Sequence, residues 1–243
     1  MSTPKIALVT GGGSGLGRVI ATALLGAGHR VVVTGRTRAT LESVAGADPF
    51  VADVADAAAV EALFGHVTST YGRLDVLVNN AGVFGPGTPV TEVSDADWQS
   101  VVDTNLTGSF RCARAAFRIM AAQDPRGGRI INNGSVSAHV PRPNAIAYTA
   151  TKHAITGLTK ALALEGRAHD IAVSQLDIGN AATEMTAGFD AGTLQADGTL
   201  RPEPTMDAGH VGELVAYLAG LPLSANVPFA TLIATTMPYL GRG

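Results

Sequence analysis

Three side chains with the chemistry to move a proton on a substrate oxygen lie close together in the middle of the chain. Tyr148 and Lys152 are four residues apart, and Ser135 comes shortly before them. Residues i and i+4 share a helix face, so a helix beginning near Tyr148 would hold the phenol beside the ammonium group. A nearby cation favours the phenolate and lowers the pKa of a tyrosine from its usual value of about 10. We therefore predict that Tyr148 is a general acid or base and that the Ser135 hydroxyl binds the same substrate oxygen.

A glycine-rich loop near the N-terminus has the context of a dinucleotide-binding site. Residues 5–10 form an apolar, β-branched run typical of a buried strand, and residues 18–27 show a helical pattern. The loop between them has glycine at positions 11, 12, 13, 15 and 17. Backbone N–H groups at the start of such a helix bind pyrophosphate, whereas a glycine loop without this context is an ordinary flexible turn. Strand, loop and helix together favour a nucleotide, which would carry the hydride that complements proton transfer.

Several motifs occur in the order and spacing of one enzyme family. They are Thr10-Gly11-Gly12-Gly13-Ser14-Gly15-Leu16-Gly17, Asp53-Val54, Asn79-Asn80-Ala81-Gly82, Asn105 in a helical stretch, and the trio Ser135, Tyr148 and Lys152. Through these motifs the chain resembles the short-chain dehydrogenase/reductase family over roughly residues 5–183.

The resemblance implies a role for each matched residue. Tyr148 would transfer the proton, while Lys152 would lower its pKa and hold the ribose hydroxyls. Ser135 would stabilise a developing alkoxide, and Asn105 would help to hold a water that links Lys152 to solvent. The predicted cofactor contacts, taken from the family motifs and from the end of the second strand, are Gly11, Gly13, Ser14, Gly15, Leu16, Gly17, Arg36, Asp53, Val54, Asn80, Ala81, Gly82, Tyr148, Lys152, Gly179, Ala181 and Thr183.

Two segments depart from the family pattern. The Pro-Gly pair that follows the sixth strand in the family is Ile178-Gly179 here, which frees one φ angle and restores one N–H donor. Thr183 keeps the family's threonine, so a backbone clamp on the nicotinamide amide is still expected. Residues 233–243 differ from the strand and Asp-Gly-Gly turn in which the family often ends. The resemblance therefore predicts no particular substrate.

The end of the second predicted strand indicates which dinucleotide is preferred. Enzymes that choose NAD usually carry an acidic residue there, about 20 residues beyond the glycine motif, to bind the ribose 2′-hydroxyl. In this chain the strand of residues 31–34 ends in Gly35-Arg36, so the acid is replaced and a guanidinium is available for a 2′-phosphate. We predict NADP(H); NAD(H), with Arg36 as an ordinary solvated side chain, is the alternative.

Composition and length favour one enzyme domain without a macromolecular ligand. The chain has 243 residues, of which 46% are hydrophobic and 15% charged, and its formal net charge is −3. A small negative charge does not favour binding to nucleic acid. The sequence contains no run of about 18 apolar residues, so no membrane span is predicted. The single cysteine, Cys112, excludes an internal disulfide, and the six histidines form no metal-ligand motif. We expect a cytoplasmic protein with no metal, no nucleic acid and no membrane partner.

Apolar runs and helical patterns alternate along the chain with short links between them, which is typical of a parallel sheet covered on both faces. We predict a single-domain, doubly wound α/β fold of Rossmann type, with helices on both faces of the sheet, over residues 1–243. Ligands of such sheets lie at the carboxyl ends of the strands. Gly11, Asn80, Ser135 and Gly179 each follow a predicted strand, so we expect them to converge on one active site.

The segment of residues 180–206 shows little strand pattern and is interrupted by glycine and proline. A loop of this length in a compact domain is usually functional or mobile. The family resemblance implies that it covers the substrate, and a disordered insertion is the alternative. Candidate apolar pocket residues are Val140, Met185 and Phe189. For His139 and Arg142, in the loop before Tyr148, we favour ordinary solvated positions.

We predict an oxidoreductase, of the carbonyl reductase kind, that transfers hydride between NADP(H) and a ketone or secondary alcohol. The alternative from another class is a regulatory protein on the same fold that binds NADP(H) without turnover. A cofactor-independent lyase or dehalogenase fits less well, because the glycine loop is intact. The resemblance further implies a homotetramer that associates through the helices of residues 94–120 and 148–167.

Overall fold

Parallel strands form the central sheet of the protein. The computed structural model describes residues 4–189 and 191–240. The strands are β1 (Ile6–Thr10), β2 (Arg30–Gly35), β3 (Asp48–Val51), β4 (Val76–Asn79), β5 (Gly128–Asn133), β6 (Ile171–Ile178), β7 (Thr193–Leu194), β8 (Leu200–Arg201) and β9 (Phe229–Leu232). Seven of them make one sheet in the order β3-β2-β1-β4-β5-β6-β9. The remaining two, β7 and β8, form a separate antiparallel hairpin.

Helices cover both faces of this sheet. They are α1 (Gly15–Gly26), α2 (Arg38–Glu42), α3 (Ala57–Tyr71), α4 (Asp95–Val102), α5 (Ser109–Ala122), α6 (Ile146–Gly166) and α7 (Gly209–Gly220). Successive strand residues point to opposite faces. Val9 and Val33, which are register partners, pack with α1 and α7, whereas their neighbours Leu8 and Val32 pack with α3 and α5. The predicted doubly wound α/β fold is confirmed.

Short-range hydrogen bonds set the beginning of two helices. The Asp56 carboxylate accepts from the backbone N–H of Ala58 at 2.8 Å, so it satisfies a free donor at the start of α3. The Ser94 hydroxyl accepts from Asp97 N at 3.1 Å at the start of α4. Aspartate and serine are both residue types that commonly cap helices.

The long helix predicted over residues 94–120 is interrupted. A π-helical turn, Asp103–Gly108, joins α4 to α5. Such a turn inserts an extra residue into the helical hydrogen-bond pattern and often marks a functional site. It buries Asn105, and a Cβ on Gly108 would lie 2.7 Å from the Val54 side chain. Gly108 therefore lets the turn pack closely against the loop that follows β3.

The segment of residues 180–206 leaves the sheet and returns to nearly the same place. Ala182 N donates to Met206 O at 2.8 Å, and Met206 N donates to Asn180 O at 2.8 Å. Between these ends lie a 3₁₀ turn, Glu184–Thr186, and the hairpin of β7 and β8. Regular structure therefore occurs in a segment predicted to have little, although Asp190 lies outside the described residues.

The unusual end of the chain packs beneath the predicted catalytic loop. Ala234 and Met237 are buried against Val136, the residue after Ser135. Residues 241–243, which belong to the predicted family departure, lie outside the described part of the chain.

Candidate active site

An open cleft of about 440 Å³ lies at the carboxyl ends of the sheet strands. Its lining includes all of the predicted cofactor residues: Gly11, Gly13, Ser14, Gly15, Leu16, Gly17, Arg36, Asp53, Val54, Asn80, Ala81, Gly82, Tyr148, Lys152, Gly179, Ala181 and Thr183. Ser135 and Asn105 do not line the cleft, but their neighbours Gly134 and Thr104 do. The crossover connections of the parallel sheet thus bring together loops that are far apart in sequence.

The glycine loop has a shape that admits a dinucleotide pyrophosphate. Gly11 and Gly15 have φ angles of 62° and 47°, which side chains disfavour. A Cβ on Gly17 would overlap the carbonyl of Gly11, so the loop closes tightly onto the start of α1. The Ser14 side chain makes no cap hydrogen bond, and the first turn of α1 contains no acidic residue. Because residues 14–17 line the cleft, the positive end of α1 faces it, which fits an anionic group.

Thr10 and Asn80 hold two of these loops together. The Thr10 hydroxyl accepts from the backbone N–H groups of Asn80 and Ala81, each at 3.0 Å. The Asn80 amide donates to Thr10 O at 2.9 Å and accepts from Asn133 Nδ2 at 2.9 Å. The ends of β1, β4 and β5 are therefore fixed to one another before any ligand binds.

Lys152 is a buried cation one turn along α6 from Tyr148. Its Nζ donates to the carbonyl of Asn133 at 2.7 Å and lies 5.5 Å from the centroid of the Tyr148 ring. Burial lowers the pKa of Lys152 to about 8, and the charge of Asp177 opposes that change. Removal of the ammonium group from water is thus the larger effect.

The Tyr148 phenol hydrogen-bonds to the Ser135 side chain. Desolvation raises the pKa of Tyr148 above its ordinary value, while the bond to Ser135 and the charge of Arg142 act in the opposite direction. The prediction that Lys152 brings the Tyr148 pKa below that of free tyrosine is therefore wrong for the chain alone. Burial penalises the phenolate more than the Ser135 hydrogen bond and the Arg142 charge favour it.

Asn105 is a buried side chain that fastens the loop after β4. Its Oδ1 accepts from Val83 N at 2.8 Å, and its Nδ2 donates to Val83 O at 2.9 Å and to Thr151 Oγ1 at 3.3 Å. Both ends of the amide are thus used within the protein. This geometry connects the π-helical turn to α6 beside Lys152.

At the other end of the cleft, Arg36 lies exposed in the turn after β2. Thr37 and Thr40 line the same region, although the sequence pattern did not single them out. Asp53 Oδ1 accepts from Ala55 N at 2.9 Å, which shapes the turn after β3. The cleft end formed by β2 and β3 therefore combines a cation with hydroxyl groups.

Two residues expected to be solvated have buried partners instead. Arg142 Nη2 donates to Glu203 Oε2 at 2.6 Å and to Asn180 Oδ1 at 2.9 Å, and its side chain is 12% exposed. The solvated interpretation of Arg142 is therefore wrong. His139 keeps part of its surface exposed, but its Nε2 lies 2.8 Å from Asp177 Oδ2. Both acidic partners lie far along the chain, so spacing does not indicate these pairs.

Among the described residues, none of the helices combines the length and apolar character needed to cross a bilayer. No cluster of three or more His, Cys, Asp and Glu side chains suited to a metal occurs in that part of the chain. Cys112 is buried in α5, and burial raises the pKa of its thiol to about 12. A thiol in this state is a packing residue rather than a nucleophile.

Comparisons with known proteins place this fold and cleft in one family. The model of the short chain dehydrogenase family matches residues 5–193, and the chain belongs to that family. A 3beta-hydroxysteroid dehydrogenase of Mediterraneibacter gnavus is 43% identical over 169 residues, which cover 66% of this chain and 60% of that protein. The alignment thus spans less than two thirds of that relative.

Solved structures resemble the chain over nearly its whole length. The actinorhodin polyketide ketoreductase with NADPH has a TM-score of 0.84 at 32% identity, covering 96% of this chain and 98% of that one. The 3-ketoacyl-(acyl-carrier-protein) reductase from Brucella melitensis complexed with NADH has a TM-score of 0.83 at 28% identity, covering 93% and 95%. The neighbours therefore include complexes with both nicotinamide dinucleotides.

Proposed function

We propose that the protein is an NADP(H)-dependent oxidoreductase that interconverts a ketone and a secondary alcohol. The observation that carries this proposal is the Tyr148 phenol, hydrogen-bonded to Ser135 and one turn from the buried Lys152 ammonium, at a cleft that fits a dinucleotide. A protein that only binds nucleotides has no need of this combination. The hydroxysteroid dehydrogenase and the ketoreductases named above support the same reaction class.

In the proposed mechanism the chain's own residues handle the proton and the substrate oxygen. Tyr148 gives the proton to the developing alkoxide in reduction and removes it in oxidation. Ser135 donates a hydrogen bond to the same oxygen, and Lys152 favours the phenolate after transfer. Asn105 keeps the loop after β4 in place and supports a water path to Lys152. The bound nicotinamide would supply or accept the hydride.

We propose NADP(H) as the preferred cofactor because Gly35 occupies the position where an acid would select NAD(H), and Arg36 follows it. The guanidinium lies at the end of the cleft formed by β2 and β3, and it suits a 2′-phosphate. NAD(H) is the alternative, and the complex of the Brucella melitensis reductase with NADH supports it.

The segment of residues 180–206 is proposed to cover the substrate. Its 3₁₀ turn contributes Glu184, Met185 and Thr186 to the cleft lining, and Met185 is 56% exposed there. An exposed apolar side chain in the lining of the cleft is suited to contact an apolar substrate. We propose a small carbonyl or alcohol compound as the partner, in a cytoplasmic homotetramer.

The direct test is a panel of ketones and secondary alcohols monitored by the absorbance of NADPH, with NADH in parallel. Turnover of at least one carbonyl compound is expected. Tight NADPH binding without turnover of any compound would favour the regulatory alternative. Failure to bind either dinucleotide would contradict both.

A further inference from the structure

Asp177 is a buried carboxylate at the end of β6, behind the residues proposed to do the chemistry. Its side chain is 2% exposed. Oδ1 accepts from Ser135 N at 3.0 Å and from Gln175 Nε2 at 2.8 Å, and Oδ2 lies 2.8 Å from His139 Nε2. A carboxylate loses its hydration when buried, and it persists in a sheet only with such partners. The acid is therefore organised around the loop that carries Ser135.

The turn that contains Gly134 is shaped to fit this carboxylate. A Cβ on Gly134 would overlap Asp177 Oδ1 and lie 2.9 Å from Gln175 Cγ. Gly134 N donates to Leu176 O at 2.9 Å, and this hydrogen bond holds the turn beside β6. The backbone of Ser135 is thus held by an acid from the neighbouring strand, and glycine is required for the close approach.

The residues on either side of Gly134 contact the two ionisable groups of the proposed mechanism. The Ser135 side chain hydrogen-bonds to the Tyr148 phenol, and Asn133 O accepts from Lys152 Nζ at 2.7 Å. A displacement of the turn would therefore alter both contacts. Positioning errors of about 1 Å cost catalysis up to about 10²-fold.

We propose that Asp177 is the positioning residue of this site, because its carboxylate holds the Ser135 N–H and thereby keeps the Ser135 hydroxyl against the Tyr148 phenol. The charged groups that face the carboxylate are His139, when protonated, from the loop after β5, and Lys152 from α6. The effect of Asp177 on kcat rests on the proposed function, whereas its effect on the contact between Ser135 and Tyr148 does not.

The test compares Asp177→Asn, which keeps an oxygen acceptor for Ser135 N, with Asp177→Ala, which removes it. Asp48→Ala is the matched control. The Asp48 carboxylate also contacts a histidine, with Oδ2 2.6 Å from His66 Nε2, but Asp48 lies in β3 at the edge of the sheet. Far-UV circular dichroism establishes that each variant is folded over the pH range used.

The first measurement uses the protein without cofactor. Tyrosine ionisation is followed by ultraviolet absorbance, and subtraction of the same titration with Tyr148→Phe isolates the Tyr148 phenol. Because the bond from Ser135 lowers the Tyr148 pKa, Asp177→Ala should shift this ionisation to higher pH. Each variant is compared with its own Tyr148→Phe double variant, and in this comparison the Tyr148 ionisation of Asp177→Asn and of Asp48→Ala should match that of the parent. The Asp48→Ala change also affects Tyr71, whose hydroxyl donates to Asp48 Oδ2 at 3.0 Å, but that contribution is present in both members of the pair and is subtracted. If Asp177→Ala does not fold, Gly134→Ala, which pushes the turn off the carboxylate, should give the same upward shift.

The second measurement separates kcat from cofactor binding. Asp177→Ala should lower kcat by about 10²-fold and leave the Kd of NADPH within about twofold, because Asp177 does not line the cleft. A parent-like Tyr148 titration in Asp177→Ala, or in Gly134→Ala where the former is unfolded, would overturn the proposal. Equal losses in the Asn and Ala variants would also overturn it, since they would assign the effect to charge. An inactive parent protein would refute the proposed function, while the titration would still decide the role of Asp177.

Discussion

At the scale of single residues, the Tyr148 phenol is governed by two opposed effects. Desolvation raises its pKa, and the hydrogen bond from Ser135 and the charge of Arg142 lower it. In the absence of cofactor the first effect is larger, so the phenol is protonated at neutral pH. That state suits a general acid for carbonyl reduction.

Tyr148→Phe is expected to abolish most turnover while leaving NADPH binding nearly unchanged. Phenylalanine keeps the ring that packs 5.2 Å from Phe84 between centroids but removes the transferable proton. General acid–base catalysis is typically worth about 10² to 10⁴ in rate, so kcat should fall at least that far. Steady-state kinetics and a fluorescence titration with NADPH measure the two quantities. Wild-type turnover in this variant would show that another group is the acid.

The pair Gly35→Asp and Arg36→Ala is expected to reverse cofactor preference. The aspartate would bind the ribose 2′-hydroxyl, and loss of the guanidinium would leave a 2′-phosphate without its counter-charge. A side chain fits at Gly35, since its Cβ would lie 3.5 Å from Leu41 Cδ2. The measurement is kcat/KM with NADPH and with NADH.

Arg38→Ala is the control for this change, because Arg38 is an exposed neighbour that pairs with Glu42 at 3.3 Å. It should leave the preference as it is. Equal efficiency of the unmodified protein with both dinucleotides would contradict the assignment of Arg36.

At the scale of elements, a buried ion pair connects the loop before α6 to the segment of residues 180–206. Glu203 is 1% exposed and accepts from Arg142 at 2.6 Å, from Asn180 at 2.8 Å and from Gln195 at 3.0 Å. The Arg142 guanidinium also lies 5.4 Å from the Phe189 ring centroid. One carboxylate therefore connects the loop before α6 to three positions of the proposed substrate-covering segment, in addition to the backbone hydrogen bonds at its ends.

We expect the protein to become less stable as the pH is lowered, because the Glu203 carboxylate of this pair becomes protonated. Burial alone would raise the Glu203 pKa, but its hydrogen bonds and the charge of Arg142 lower it from 4.5 to about 2. A folded-state pKa below the unfolded value means that the ionised carboxylate stabilises the fold above about pH 4.5 and loses this contribution as the pH falls towards 2. Thermal melts followed by circular dichroism between about pH 6 and 3 measure it.

Glu203→Gln should show a weaker decline of Tm over this range and should be less stable at neutral pH by about 3 kcal/mol, because Arg142 is left without its counter-charge. Glu213→Gln, at a glutamate whose side chain is 78% exposed on α7, is the control and should behave as the parent. Parallel curves for the parent and Glu203→Gln would contradict the role of Glu203.

The helices show which structural features can be predicted from short stretches of sequence and which cannot. Ser94 and Asp56 begin α4 and α3 through contacts with residues only two or three positions away, so caps of this kind can be predicted from the sequence. The π-helical turn that buries Asn105 was not predicted. Its sequence is compatible with an ordinary helix, and contacts with Val83 and Thr151 hold it in the observed form.

At the scale of the whole molecule, exposed apolar side chains on the long helices suggest an association surface. Trp98 on α4, Phe110 on α5 and Leu164 on α6 are 38%, 42% and 63% exposed. We expect a homotetramer at micromolar concentration by light scattering. Phe110→Glu should lower the mass, because it removes an apolar ring from the proposed association surface and places a charge there that would have to be desolvated on association. Leu200→Glu, a change on the exposed hairpin of β7 and β8, should leave the mass unchanged. A monomeric mass for the unmodified protein would refute the prediction.

Turnover is expected to survive dialysis against a strong chelator. Proton transfer from a tyrosine requires no Lewis acid, and the described residues offer no cluster of three metal-binding side chains. Activity assays before and after dialysis, with and without added zinc or magnesium, measure the effect. A loss of activity that a metal restores would contradict the prediction.

The doubly wound fold, the glycine loop and the one-turn spacing of Tyr148 and Lys152 could all be predicted from the order of the amino acids. These features depend on periodicity and on residues that are near neighbours along the chain. The contact of Asp177 with Ser135, the pairing of Glu203 with Arg142 and the dominance of desolvation at Tyr148 could not be predicted in this way, because each arises from the packing of the folded chain. The physical reason is that strand order brings distant segments together, and the energy of a charge depends on the burial and partners that this packing creates.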